Sequence, residues 1–226
     1  MAIKPILFNT EMVRAILDGR KSCTRRLVKP QPDEKHTYPL GFVTDSTEKK
    51  EVGCFGFGID EYGGSIQYVK PPYQPGDFLY VRETWCLRYD GEKYFYKADK
   101  NTPREEKRLI DYNNTSWHPS IHMPKEAARI WLRVTDVRVE RLQDITPQGA
   151  WKEGARCSCL HPVPDCAGNK TAFIEIWNST IKKSDLDRYG WDANPYVWVI
   201  SFERCAKPAE SPYAWNDAIH KLTKGV

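Results

Sequence analysis

Lys21 and Thr24 are the residues of this chain whose types and spacing best suit chemistry on a polar substrate. They lie in the segment Gly19–Arg26, which reads GRKSCTRR. In an extended strand alternate side chains share a face, so Lys21 and Arg25 would lie on one face, and Thr24 and Arg26 on the other. A joint site of Lys21 and Thr24 therefore requires a bend or a bulge between them.

On residue types alone, this basic segment suits two roles. Lys21, Arg25 and Arg26 can hold a phosphate or a carboxylate, with Thr24 donating a hydrogen bond. Alternatively they form a solvated edge strand whose charges protect the protein from aggregation. The sequence leaves both roles open.

A second group of chemically capable residues lies between Cys157 and Cys166. Cys157, Cys159, His161 and Cys166 supply four soft ligands, and zinc takes such sets in closed tetrahedral sites. The Cys-x-Cys-x-His-x4-Cys spacing differs from the commoner Cys-x-x-Cys pairs. The prediction is a possible structural zinc that staples this loop, and the alternative is a proline-rich surface loop of free thiols.

Charge and composition narrow the class of partner. The chain has 226 residues, 34 basic and 30 acidic, with a formal net charge of +4. This mild excess suits a nucleotide or a short single-stranded segment better than a long duplex. No stretch approaches the roughly 18 apolar residues of a membrane span, so we expect a cytoplasmic protein with no membrane partner. The odd number of cysteines, seven, favours thiols or metal ligands over a disulfide framework.

Strand and helix patterns predict the elements that position these residues. Asn9 or Thr10 can cap a first helix that Gly19 ends, and Thr146 can cap a second that runs to about Glu153 and ends at Gly154. The remaining predicted core elements are strands at 3–8, 78–85, 130–139 and 196–203, and a helix at 171–182. Such strands with helices attached predict an α+β fold built on a small mixed or antiparallel β-barrel.

Less regular segments separate these elements. Residues 30–76 are predicted to form an irregular insertion, with short hairpins near 54–57 and 66–69. Residues 94–97 are predicted to pair with the strand at 78–85, and a short helix is expected at 103–110. The tail from 208 to 226 is expected to hold a helix at 212–222.

The basic segment resembles a family signature. Ile16–Lys21 with Thr24 and Arg26 resembles the Gly-x-Lys-x-x-x-x-Arg signature of ASCH domains, small β-barrels of the PUA-like superfamily, in which the signature follows the first helix. Three later segments resemble family elements in the correct order: Pro75–Val81, Ile145–Gly154 and Tyr196–Glu203. The resemblance implies a single ASCH-like domain over residues 1–207, with insertions at about 30–76, 86–124 and 155–194.

The resemblance also implies an activity. Compact bacterial ASCH proteins include amidohydrolases that remove the acetyl group from N4-acetylcytidine with a lysine, a threonine and a glutamate, which match Lys21, Thr24 and Glu153. Thr24 would be the nucleophile or would position a water. Lys21 would be a base if burial or Arg25 and Arg26 lower its pKa, and Glu153 would orient the lysine or shuttle the proton. This scheme requires no cofactor. The alternative for Glu153 is a surface carboxylate at a helix end.

Other members of the family bind or cleave RNA, so a second hypothesis is a module that binds RNA or single-stranded nucleic acid, and a third is RNase activity with the same residues. Its candidate contacts are Arg25 and Arg26 together with the aromatic side chains of Tyr80, Trp85 and Trp117.

Glu83 and Trp85 form a further candidate pair on the predicted strand 78–85, where alternation puts them on one face. At the mouth of a barrel, Glu83 would replace or assist Glu153, and Trp85 would stack on a base. The alternative for Glu83 is a cross-strand ion pair.

The pattern over the full length, including Tyr80–Trp85, Ser120–Pro124 and Trp191–Pro195, also resembles uncharacterised proteins of tailed phages and prophages. A phage-encoded protein would act in the host cytoplasm. This resemblance implies no chemistry, and the sequence predicts no oligomeric state.

Overall fold

The computed structural model describes residues 1–87, 93–99 and 116–209, which form a mixed α+β structure. Its strands are β1 Ile3–Leu7, β2 Cys23–Leu27, β3 Tyr38–Phe42, β4 Phe55–Gly58, β5 Ile66–Val69, β6 Phe78–Arg82, β7 Trp85–Leu87, β8 Tyr94–Tyr96, β9 Trp131–Arg141 and β10 Tyr196–Cys205. Its α-helices are α1 Thr10–Leu17, α2 Pro147–Lys152, α3 Gly168–Thr180 and α4 Leu186–Tyr189. The mixed α+β class predicted from the sequence is confirmed.

The main sheet has five strands in the order β1-β6-β9-β10-β2. Only the β1–β6 pair is parallel, and the other pairs are antiparallel. Within the described ranges the sheet is open, with β1 and β2 at its edges, so no closed barrel is found. A side chain spans the two edges: Arg26 Nη2 on β2 donates to Leu7 O on β1 over 3.0 Å.

Strand β10 divides two hydrophobic cores, because successive side chains point to opposite faces. Trp198, Ile200 and Phe202 lie in the larger core with α1 and β6. Val197 and Val199 lie in the second core with α2 and α3. The predicted alternation along this strand is confirmed. The second core attaches α2 and α3 beside edge strand β2.

Helix α1 ends in a turn that delivers Lys21 to the edge of the sheet. The side chain of Asn9 caps its start by accepting from Met12 N over 2.8 Å. At its end, Gly19 has a φ of 71°. The next two amides, of Arg20 and Lys21, both donate to Ala15 O, over 2.8 and 3.0 Å. Because Lys21 lies in this turn and β2 begins only at residue 23, strict strand alternation does not apply to Lys21.

A three-stranded antiparallel sheet, β3-β4-β5, occupies the predicted insertion 30–76. The two strands β4 and β5 match the predicted hairpin positions. Strand β3 was not predicted, because Pro39 and Gly41 in its sequence are typical of turns. This sheet packs on β10 through aromatic contacts, including Phe55 with Trp198 at a centroid distance of 6.2 Å.

The prediction of a single strand at 78–85 is wrong, because the strand is interrupted at Glu83 and Thr84. Strand β6 pairs with β1 and β9, whereas β7 pairs with β8 in a separate hairpin. The predicted partner segment 94–97 therefore pairs beyond the break and not with the main sheet. The helices predicted at 103–110 and 212–222 lie outside the described residues.

Within the described ranges, no helix has the length and apolar character that crossing a membrane requires.

Candidate functional site

A pocket of about 380 Å³ lies between edge strand β2, helix α1, the end of α2 and helix α3. Its walls are mainly apolar and include Leu7, Met12, Leu27, Phe173, Ile176 and Trp177. Its polar side is formed by Thr24, Arg25, Arg26 and Glu153. A concave, mainly apolar cavity with a few convergent polar groups is typical of sites for small molecules.

Lys21 is buried behind the polar side of the pocket, with its side chain 0% exposed. Its ammonium nitrogen donates three hydrogen bonds: to Cys23 O over 2.8 Å, to Glu153 O over 2.9 Å and to Glu153 Oε2 over 2.7 Å. An ammonium group has three protons, so every donor is used. All three donor positions of the Lys21 ammonium group are therefore occupied by acceptors within the protein.

Glu153 links Lys21 to the pocket. It follows the last residue of α2, and its two carboxylate oxygens contact Lys21 and Arg25; Oε1 lies 3.3 Å from Arg25 Nη1. The next residue, Gly154, has a φ of 89°. A Cβ there would lie 2.9 Å from Ala15 Cβ, so a glycine lets the ends of α1 and α2 approach closely enough for this contact.

Arg25 lines the pocket, and its three guanidinium nitrogens differ in their hydrogen bonding. Its Nη2 donates to Glu140 Oε2 on β9 over 2.9 Å, and its Nη1 faces Glu153. Its guanidinium carbon lies 5.8 Å from the ring centroid of Phe173. Its Nε is buried and has no hydrogen-bond partner among the described residues. A buried donor without a partner is energetically costly.

Thr24 places a hydroxyl on the same pocket. Thr24 is almost fully buried, and its Oγ1 accepts a hydrogen bond from Arg26 Nη1 over 2.8 Å. Arg26 also donates to the backbone oxygens of Arg25 and Leu7, each over 3.0 Å. Because the hydroxyl accepts from Arg26, its own proton stays available for transfer or for a ligand.

Cys23 lies between Lys21 and Thr24 in sequence but is not a competing nucleophile. Burial, reinforced by the nearby Glu153 carboxylate, raises the pKa of the Cys23 thiol to about 12. A thiol attacks as the thiolate, so Cys23 stays protonated and inert near neutral pH.

Comparisons with known proteins identify no relative of this chain: no family model, no curated protein and no solved structure matches it. The ASCH resemblance therefore remains a prediction that depends on the residues themselves. Of the residues that the resemblance selects, Lys21 and Glu153 are in direct contact, and Thr24 and Glu153 line one pocket.

Glu83 lies in a different polar cluster and is not among the described residues that line the pocket. Its carboxylate is almost fully buried and makes a bidentate contact with Arg129, over 2.9 and 3.1 Å. Arg129 also pairs with Asp99 over 2.7 Å and lies 3.9 Å above the ring centroid of Tyr96. Burial raises the pKa of Glu83, although the hydrogen bonds from Arg129 oppose this shift. The structure therefore favours the ion-pair interpretation of Glu83, here with a loop arginine.

The predicted aromatic contacts are also outside the described lining of the pocket. Tyr80 is buried on β6 and packs against Trp131 at a centroid distance of 6.0 Å. Trp85 packs against Tyr94 at 5.6 Å and His118 at 4.9 Å. Trp117 is exposed. The pocket takes its aromatic surface from α3 instead.

Three of the four predicted metal ligands lie together. The sulfur atoms of Cys157, Cys159 and Cys166 are all within 4.8 Å of one another, so these residues could hold a metal ion. The structure joins Cys157 and Cys159 as a disulfide. His161 is exposed and does not belong to the cluster.

Sequence reasoning missed Phe173, Trp177 and Glu140 as residues of the site. The spacing of Phe173 and Trp177, four residues apart in a predicted helix, marks one helical face and was a usable signal. Glu140 had no such signal, because its contact with Arg25 depends on the pairing of β9, β10 and β2.

Proposed function

We propose that this protein is an ASCH-type amidohydrolase with a PUA-like fold that removes an acyl group from the exocyclic amine of a modified cytosine nucleoside or nucleotide. The observation that carries the proposal is the position of Glu153 between Lys21 and the pocket. Its carboxylate contacts the buried Lys21 ammonium and lines one pocket with the Thr24 hydroxyl. A nucleophile, a carboxylate and a fixed cation are the groups that amide hydrolysis requires.

The hydrogen bonds of the site suggest a division of roles. Lys21 already uses all three protons, so in this proposal it is a fixed cation that orients Glu153, and Glu153 is the base. This reassigns the base from Lys21, the residue that the sequence suggested. In this proposal Thr24 Oγ1, which accepts from Arg26 in the structure, attacks the acyl carbon, and its proton passes to the Glu153 carboxylate across the pocket. Glu153 then returns the proton to the leaving amine, and water hydrolyses the acylated Thr24 to the free acid.

Arg25 is suited to stabilise the negative charge that develops on the acyl oxygen. Its buried Nε lacks an acceptor among the described residues, although its two other nitrogens are engaged by carboxylates. In this proposal the Arg25 side chain donates to the acyl oxygen, and a donor held in place where charge develops lowers the barrier.

The walls of the pocket suit a nucleoside better than a polymer. A volume of about 380 Å³ lies in the range of small-molecule sites, and Phe173 and Trp177 supply aromatic surface beside it. The nearby arginines are engaged in pairs within the protein, which disfavours a site led by many phosphate contacts. A module that binds RNA or single-stranded nucleic acid is the alternative.

The direct test is to incubate the full chain with N4-acetylcytidine and follow the ultraviolet absorbance as cytidine forms. We expect turnover by the wild type and loss of turnover in Thr24→Ala. Thr180→Ala is the matched control, because Thr180 also lines the pocket but its hydroxyl donates to Trp177 O over 2.7 Å. A folded protein without turnover, or Thr24→Ala with wild-type turnover, would contradict the proposal.

A further inference from the structure

We propose that Cys157, Cys159 and Cys166, in their reduced form, bind one zinc ion that ties together the two helices flanking the pocket. The three residues lie on the loop between α2 and α3 and take no part in the contact between Lys21 and Glu153. The proposal is independent of the reaction proposed above.

The spacing of two sulfur atoms fits a zinc site. Cys159 Sγ and Cys166 Sγ are 3.8 Å apart. With Zn–S bonds of about 2.3 Å and tetrahedral angles, two thiolates on one zinc ion are separated by about 3.8 Å. The Cys157 sulfur lies within 4.8 Å of both. Three thiolates leave a fourth position for a water molecule.

The loop that carries these cysteines is held by a buried amide. Asn169, which is 0% exposed, accepts from Cys157 N over 3.0 Å. Its amide nitrogen donates to Val163 O over 2.8 Å and to Pro164 O over 3.0 Å. These bonds hold the start and the middle of the loop to one side chain. Ligands held by such a second layer of hydrogen bonds need little reordering to bind a metal.

Gly168 allows Cys157 to lie against the start of α3. A Cβ at Gly168 would lie 2.7 Å from Cys157 Cβ and 3.7 Å from Cys166 Sγ. A larger residue at position 168 would push Cys157 away from the start of α3. The start of a helix also carries a partial positive charge, which favours the thiolate form that a metal requires.

Zinc binding requires the reduced form, because Cys157 and Cys159 are joined in the structure. A dithiol reductant supplies two electrons and two protons to that bond, giving two thiols and its own cyclic disulfide. One Zn²⁺ then displaces the protons of three thiols, and three protons are released.

The bound zinc ion would not line the pocket, but it would restrain two of the pocket's walls. Glu153 and Ala155 line the pocket before the loop, and Phe173 and Trp177 line it after the loop. A zinc ion that joins Cys157 to Cys166 shortens the unconstrained length of chain between these two walls. We therefore expect zinc to raise the thermal stability of the protein and to rigidify the α3 wall.

The test uses the full chain, reduced with a dithiol and supplied with Zn²⁺, and measures bound metal by mass spectrometry after gel filtration. We expect one zinc per chain, and a melting temperature that falls by about 5 °C on chelation, the size expected for loss of a tightly bound ligand from a domain of this size. Co²⁺ in place of Zn²⁺ should give sulfur-to-cobalt charge-transfer absorption.

Cys159→Ser should lose the zinc and the charge-transfer absorption. Because Cys159 is exposed, this variant should still fold. Cys205→Ser is the matched control, since Cys205 is a free cysteine outside the cluster, and it should retain one zinc. No zinc in the reduced wild type, or equal zinc in Cys159→Ser and Cys205→Ser, would overturn the proposal.

Discussion

Glu153 and Glu83 are two buried carboxylates that pair with arginine, and of the two only Glu153 is among the described residues that line the pocket. Glu153 contacts Lys21 and Arg25 and also lines the cavity. Glu83 contacts Arg129, which pairs in turn with Asp99, and the described residues around the cavity do not include it. Burial and charge pairing are thus common to both clusters. The cavity and the adjacent Thr24 distinguish the first as the candidate site.

The largest expected difference between the two clusters is in turnover. Glu153→Gln keeps the side-chain shape but removes the base, so turnover of N4-acetylcytidine should fall by about 10²–10⁴-fold, the usual contribution of a general base. Glu83→Gln should leave turnover within a few fold of the wild type. Steady-state kinetics of both variants measures this difference in turnover. Equal losses of turnover in the two variants would contradict the prediction.

The two clusters should resemble each other in their effect on stability. Lys21→Met leaves Glu153 with Arg25 alone, and Arg129→Met leaves Glu83 without its cation. Each should lower the free energy of unfolding by about 3–5 kcal/mol. Arg129→Met leaves the buried charge of Glu83 uncompensated, and Lys21→Met leaves three buried acceptors without their donor. Urea denaturation checks this. A much smaller cost for Lys21→Met than for Arg129→Met would contradict this expectation.

A smaller effect is expected from the aromatic wall. Trp177→Ala removes a ring beside the pocket and should raise the KM for N4-acetylcytidine by about tenfold, within the range for loss of a base-stacking side chain. Trp85→Ala, which removes a ring of the other region, should leave KM unchanged. An unchanged KM in Trp177→Ala would show that the substrate binds elsewhere.

The smallest effect concerns Cys23 and alkaline pH. In the folded protein the pKa of Cys23 is raised to about 12, whereas in the unfolded chain the thiol ionises near its ordinary value. The unfolded state therefore loses its proton first as the pH rises, and the protein is destabilised between about pH 9 and 12, by about 1 kcal/mol at pH 10. The stability of Cys23→Ala should fall less over this range, as urea denaturation at pH 8 and pH 10 would show.

Local patterns predicted the elements of the fold but not their pairing. The Asn9 and Thr146 caps, the glycine stops at Gly19 and Gly154, and the two faces of β10 were all visible in sequence, because they depend on near neighbours. The break of the strand after Arg82 was not visible, because it depends on β7 pairing with β8 and not with the main sheet.

The candidate site was likewise predicted only in part from the sequence. The resemblance brought Lys21, Thr24 and Glu153 together across a long stretch of sequence. It did not indicate that Lys21 is saturated by three acceptors, because two of those are backbone oxygens. Nor did it separate Glu83 from Glu153. Both are carboxylates beside aromatic residues in the sequence, and only the tertiary structure gives one of them a cavity.

The backbone oxygens around Lys21 make its position largely independent of side-chain identity. Two of its three acceptors, Cys23 O and Glu153 O, belong to the main chain and persist whatever residue occupies position 153. A chain in which position 153 has changed would still place an ammonium group beside the same pocket. Under the proposed function, loss of the reaction and retention of the buried ammonium group are therefore one substitution apart.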